Sequence, residues 1–463
     1  MKFPAVRCGL ALVLGVVALA AEAPRITVEV EEDVYSFTPA NNGAGPLWCH
    51  GSTCLVRDGD RVLATGLETI PDAPPLNNCR WTLWERKPAG WSLVFIDREG
   101  RTREPSPLAL VGEGAVLVSA NPTLTPVGQP GGGPARPVVF EFATTHLANA
   151  PRVIEPAWQG KPAFTEHSYR SLASDPVHGD WVLFQNIGYG HAEWTWHGRG
   201  AEGAKSQGQL TWPFGADYAK PQPIRVCYPN VALRGGQVHF VGVSDIIEPN
   251  PAWRTFKKEL TGQEWDYDFR RLFYTWSRDL ATGRFEPWIE LASREKTGGW
   301  ITPGDLWLDR EGRAHLVWTE RALDERLRAR FFPEAKQRWE LNYAVLRDGR
   351  IEHRSTLASL DEGQSGPTPG RARFHALPDG RLFVLACFSG TDAGGRNAPG
   401  NRLVEVRSEG VAGAWQTVPF EKPFADFVTA TPRAGSSSSK WIDLLGTRAG
   451  ASSTLSYARV RID

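Results

Sequence analysis

His167-Ser-Tyr-Arg-Ser-Leu172 opens a segment that passes through a turn, Ser174 to Asp180, into the apolar strand Trp181 to Gln185. The same plan starts at His50-Gly-Ser-Thr-Cys-Leu55, with the turn Arg57-Asp-Gly-Asp60, and at Tyr228-Pro-Asn-Val-Ala-Leu233, with the turn Arg234-Gly-Gly236. Thr302-Pro-Gly-Asp-Leu-Trp307 and Arg371-Ala-Arg-Phe-His-Ala-Leu377 share it in a slightly shifted register. Short runs of Val, Leu, Phe and Trp between Asp-Gly or Gly-Gly turns are the signature of β-hairpins. A hairpin repeated with a polar side chain at one fixed position implies a radial architecture, which gathers equivalent positions around an axis.

Working outward, inner hairpins begin near His50, Pro105, His167, Tyr228, Thr302 and Arg371, with a weaker one near Phe424 returning through Lys440 to Gly446. Outer hairpins lie between them: Leu272–Trp276 to Phe285–Trp288, Leu341–Val345 to Ile351, and Leu403–Val406 to Trp415–Val418. Two hairpins per unit make a four-stranded blade, so the expected fold is all-β, a seven-bladed β-propeller of antiparallel blades. The last unit supplies only three strands, ending at Leu455–Arg459, while Arg25–Val30 is an orphan strand. Pairing the orphan as the outer strand of blade seven closes the ring and removes an open edge. Helical periodicity is local, around Trp253–Leu260 and Glu320–Phe331.

Lys2 and Arg7 precede the apolar run Cys8 to Ala20 and then small residues. Residues 1–23 therefore read as a signal peptide, and 24–463 as a single propeller domain that is secreted or periplasmic. No later segment is long and apolar enough for a spanning helix. With 52 basic and 52 acidic residues the chain has no global field to attract nucleic acid or membranes. Nineteen tryptophans suit both packing between sheets and stacking on sugar faces. Of the cysteines after residue 23, an odd number, Cys49 to Cys79 is the one bridge worth entertaining. There is no CxxC or HExxH, so no metal or other cofactor is expected. A monomer is expected.

In an up-and-down blade the start of strand one, the end of strand two and the start of strand three share a face. The long connections Glu68–Asn78, Gln185–His191, Ser244–Arg271, Glu320–Trp339 and Ser389–Asn401 all fall there. Long polar connections gathered on one face are where binding and catalysis concentrate. That face should carry His50, His167, Tyr228 and Arg371 or Arg373 at the channel mouth, with His191 in an adjoining loop. Asn78, Asp245, Arg254 and Glu320 belong to its rim. Such a set suits an acidic sugar, with arginines for the carboxylate and His or Tyr for proton transfer. The same residues also suit a plain framework role, since buried polar groups need partners in any case. Trp265-Asp-Tyr-Asp-Phe-Arg-Arg271, on the longest rim loop, fits either a sugar subsite or an anchor for the loop.

The order His167, His191, Tyr228 on seven blades resembles the secreted BNR-repeat or sialidase-like propellers, and within them is similar to ulvan-type polysaccharide lyases. His167-Ser-Tyr-Arg-Ser-Leu-Ala-Ser-Asp175 resembles their histidine-led inner strand, and the resemblance spans about residues 160 to 390. It implies β-elimination at a uronate of an acidic polysaccharide, with a His/Tyr pair moving protons and an arginine neutralising the carboxylate. His167 and Tyr228 carry over best; His191 has a different spacing. No arginine stands at the family's position after the tyrosine, so Arg254 or Arg371 would have to substitute. Ser277–Trp288 resembles a stretched Asp-box, a turn of sialidase blades. A sialidase-like hydrolase would use paired carboxylates, for which Asp245, Asp305 and Glu320 are candidates. A propeller that binds glycan without turning it over is the third reading.

Overall fold

The computed structural model describes residues 24–48, 51–112, 114–201, 203–391, 396 and 399–463. The expected signal peptide, His50 and the Cys49–Cys79 pairing lie outside them. Seven antiparallel sheets surround an axis, each with its first strand innermost. The inner strands are Leu55–Asp58, Leu108–Leu110, Ser171–Ser174, Val226–Arg234, Gly298–Leu308, Pro367–Ala376 and Phe424–Thr429, which define blades 1 to 7. Each expected inner hairpin is present.

Closure follows the expected route. Ile26–Ser36 pairs antiparallel with Ala451–Ile462 as the outer strand of blade 7, from Ile26 opposite Ile462 to Ser36 opposite Thr454. Arg25 and Asp463 exchange two further backbone hydrogen bonds, of 3.1 and 3.0 Å, beyond the ladder.

Two local expectations need correction. Phe285–Trp288 forms a connection, and the outer strand of blade 4 is Ile289–Ser293. Phe285 and Trp288 pack against a neighbouring apolar cluster, which accounts for their hydrophobic pattern without ladder pairing. Glu320 belongs to the strand Ala314–Leu323, and the helix begins only at Glu325. Asp324 caps that helix, α2 (Glu325–Phe331), by accepting from the Arg326 amide. Helix α1 (Pro251–Thr261) has Asn250 as its N-cap, Pro251 at its start and Gly262 in the left-handed conformation at its end. The two helices lie on the long loops of blades 4 and 5, and Trp253 meets Phe332 at 5.5 Å between ring centres.

Inner strands of neighbouring blades diverge from one another, and buried arginines fill the axis between them. Arg170 donates to the carbonyls of Ser119 and Pro105, 2.9 Å each. Arg373 donates to Gly304 O and, at 3.2 Å, to Phe427 O. Arg433 reaches Gly51 O at 2.6 Å and the Asp305 carboxylate at 2.9 Å. Carbonyls that no ladder satisfies thereby gain charge-assisted donors.

A second device recurs between strands two and three of a blade. His239 Nδ1 meets the Tyr274 hydroxyl at 2.7 Å, His315 Nδ1 meets Tyr343 at 2.6 Å, and Tyr457 donates to Asp443. His239, His315 and Asp443 face Trp276, Val345 and Arg459 across the ladder, so each tyrosine lies two residues before that partner.

Candidate active site

His167 sits just before the inner strand of blade 3, with its Nδ1 2.9 Å from Oε1 of Glu104. Glu104 comes from the segment entering blade 2 and is 1% exposed. The backbone N–H and hydroxyl of Ser168 donate to the same carboxylate, at 3.1 and 2.8 Å. Burial pushes the Glu104 carboxyl up, but the hydrogen bond and charge of His167, with Arg170 and Ser168, outweigh it and hold the group below its usual value. An ionised carboxylate can only accept, so Nδ1 carries the hydrogen toward Glu104, and in the neutral form of the ring the lone pair falls on Nε2. The imidazole is a quarter exposed, at 26%.

Aromatic rings surround it. Trp48 lies 5.4 Å from His167, 5.0 Å from Tyr169 and 5.5 Å from Tyr228, measured between ring centres. Tyr169 meets Tyr228 edge-on at 5.1 Å. Phe269 follows Tyr228 at 5.9 Å and Trp300 follows Phe269 at 4.7 Å. Tyr169 and Tyr228 both have left-handed backbones, with φ of 40° and 50°. For such side chains this costs of order 1 kcal/mol or more and persists only where the surroundings impose it. At Tyr228 the inner strand slips register between Cys227 and Asn230, and the ring packs among Trp48, Tyr169 and Phe269.

Beneath the rings Arg225 and Asp245 form a buried pair, Nη2 to Oδ2 2.5 Å. The guanidinium also lies over Tyr189 at 4.1 Å, Tyr169 at 5.3 Å and Tyr267 at 5.7 Å. Burial lifts the Asp245 carboxyl and Arg225 opposes that lift. Burial also drives the Tyr169 hydroxyl well above its ordinary value, and it carries Tyr189 to about 12.

The segment Trp265–Arg271 anchors its loop, and it does so by alternation. Tyr267 and Phe269 turn to the aromatic cluster, while Asp266, Asp268 and Arg270 turn to a buried ionic lock. In that lock Glu248 binds Lys257 and Arg270, 2.8 Å each, and Asp324 lies 3.4 Å from Lys257. Period-two alternation is the strand rule, and Tyr267–Asp268 is indeed a short strand paired with Ile246–Ile247.

The structure brings His167, Tyr228 and Asp245 into one neighbourhood. The other expected site residues lie elsewhere. His191 points Nε2 at Glu193, 2.9 Å away, which Gln209 of the outer strand also holds. Asn78 donates to Ala40 O and accepts from Asn42, pinning the segment before blade 1. Arg254 is on the exposed side of α1. Glu320 binds Arg294 at 2.5 Å and accepts from the Trp318 indole at 2.7 Å, in a polar groove between blades 4 and 5. Arg371 pairs with Asp426 at 2.8 Å. Arg373 is buried in the axis, and desolvation lowers its pKa to about 10.

No family model matches the chain, and no curated protein matches it. Among solved structures, the chain is similar to an ulvan lyase described as a new polysaccharide lyase family, PL25. The TM-score is 0.52 at 9% identity, over 92% of this chain and 95% of that one. The same figures hold for that lyase bound to -[GlcA(1-4)Rha3S]-. An α-L-arabinofuranosidase from Fusarium graminearum aligns at TM-score 0.45 and 10% identity, over 94% of this chain and 98% of that one. At 9% identity the likeness to the lyase bears on the fold alone.

Sequence reasoning missed Trp48, Glu104, Tyr169 and Arg225 as site components, and reached Tyr267 only within the segment Trp265–Arg271. The signal for Tyr169 was present, two residues after His167 in the repeated segment. Arg225 precedes Tyr228 by three residues, on the side of the tyrosine opposite to the one inspected. The Asp-box-like segment forms the turn after strand three of blade 4, where Asp279 accepts from the Ala281 amide at 2.9 Å. Among the described residues no helix is long and apolar enough to cross a membrane.

Proposed function

We propose that this protein acts outside the cytoplasm on polysaccharide containing uronate units, cleaving it by β-elimination at the long-loop face. The observation that carries this reading is the His167–Glu104 pair set among Trp48, Tyr169 and Tyr228. Glu104 fixes the tautomer that leaves His167 Nε2 as a proton acceptor. Nε2 takes the proton α to the uronate carboxylate, and the Tyr228 hydroxyl protonates the leaving glycosidic oxygen. The C–O bond breaks as the ring double bond forms, and no water is consumed. Arg225 is the guanidinium stacked beneath these rings, with Asp245 matching its charge. The aromatic rings offer stacking surfaces to sugar faces.

Asp245 balances the charge of Arg225, and that observation favours one second reading, a propeller that binds glycan without cleaving it. Paired-carboxylate hydrolysis gains no such support. Asp245, Asp305 and Glu320 are engaged by Arg225, Arg433 and Arg294, in three separate places. The test is incubation of the purified protein with a panel of uronate polysaccharides. Ultraviolet absorbance of an unsaturated product supports elimination. New reducing ends without that chromophore support hydrolysis, and binding with neither supports the second reading.

A further inference from the structure

Trp48 has a second neighbourhood. Besides facing His167, Tyr169 and Tyr228, it lines a groove of 380 Å³ between the segment entering blade 1 and the upper edge of blade 7. The volume lies within the range of about 300–1,000 Å³ typical of ligand pockets. Phe37 and Leu47 join Trp48 on its apolar side. Thr447, Ser453 and Asp426 give it a polar side, and Asp426 is held by Arg371 at 2.8 Å. One indole thus forms a wall shared by the candidate active site and the groove.

We infer that this groove is a subsite for a neutral, hydroxyl-bearing sugar unit of the same chain whose uronate lies over His167 and Tyr228. The inference rests on the polysaccharide reading above and adds to it where the neighbouring unit sits and what kind it is. A pyranose has an apolar C–H face and a ring of hydroxyls, which match the apolar and polar sides of the groove. The polar side offers hydroxyls and a carboxylate already matched by its own guanidinium. A charge-balanced pair accepts and donates hydrogen bonds to hydroxyls but has no surplus charge for a second acidic unit. The groove therefore selects the neutral partner in a mixed polymer, and Arg371 acts by fixing the Asp426 carboxylate.

The experiment is calorimetric titration with two oligosaccharide series of one to six units, one alternating uronate and neutral sugar from a uronate unit, the other uronate only. With the unmodified protein the alternating dimer should bind about tenfold more tightly than the single uronate, equivalent to about 1.4 kcal/mol. Phe37→Ala should erase that gain while leaving affinity for the single uronate unchanged. Ser452→Trp, at an exposed position on the rim, should do the same by filling the groove without disturbing the core. An equal loss at every length in both variants, or no loss at any length, overturns the subsite. So does a gain with length that is as large for the uronate-only series. If neither series binds the unmodified protein at all, the polysaccharide reading itself fails, a result distinguishable from the others.

Discussion

Histidine stands beside a carboxylate on both faces of the ring. On the tight-turn face His315 lies between the Tyr343 hydroxyl at 2.6 Å and Asp309 at 3.3 Å, next to a cavity of 640 Å³. By distances alone this is the better triad. Yet His315 is 3% exposed, and its bond to tyrosine recurs at the same ladder position in blades 4 and 7. Two of the arginines around the cavity are matched locally, Arg313 by Asp309 and Arg381 by Asp379. The His167–Glu104 pair differs on each count: it joins two blades, stays partly open and sits among strained tyrosines. A polar contact repeated around a radial fold serves the fold; the contact that breaks the repeat is the one to test.

Substitutions can break that contrast. The largest effect expected is from Tyr228→Phe, which should cut elimination by about 10²–10⁴-fold, the usual worth of a positioned acid or base. Initial rates by absorbance and binding by calorimetry check it; unchanged rates remove Tyr228 from the chemistry. Asp245→Ala should follow, leaving Arg225 buried without its partner at a cost of about 3–5 kcal/mol, read from urea unfolding. On the opposite face His315→Ala should lower stability by about 1–3 kcal/mol, since it removes a buried ring bonded to Tyr343 and Asp309, with turnover unchanged. A loss of turnover there, at full folding, would move the active site to the tight-turn face.

At neutral pH the smallest effects are those of the buried titrating groups, which act only in acid. Burial lowers His197, His239 and His375 to about 4, so each is neutral in the fold. Their contribution to stability is complete above the unfolded value of about 6.5 and is lost as pH falls toward 4. Each adds a slope of at most about 1.4 kcal/mol per pH unit. His239→Gln should make the pH dependence of the melting temperature shallower in that window. Glu104, held low, should matter in a different window. Its contribution is present above about 4.3 and is lost only as pH falls through its lowered value, so Glu104→Gln should flatten the most acidic limb.

The ring was legible because its grammar is local. Asp-Gly and Gly-Gly turns bound short apolar strands, and the orphan at Arg25–Val30 had one vacant place to go. The helical start at Glu320 was misjudged because the strand Ala314–Leu323 runs on into a charged stretch with helical spacing. The site was half legible. His167 and Tyr228 announce themselves by heading equivalent hairpins. Glu104 carries no such mark, because its contact crosses between blades from a connection outside the repeat. Arg225 becomes part of the site through its contacts with Asp245, Tyr169 and Tyr189, which no spacing rule reveals. Trp48 adjoins the repeated segment at His50 but looks like one more core indole among nineteen.

The pairing of Ile26–Ser36 with Ala451–Ile462 makes the first strand of the ring dependent on the last. Ile26–Ser36 touches blade 1 through Tyr35 and Glu32, but its ladder partner is made only after the other six blades. A fragment that lacks Ala451–Ile462 can stack blades but cannot finish the circle, and it exposes an open edge to other strands.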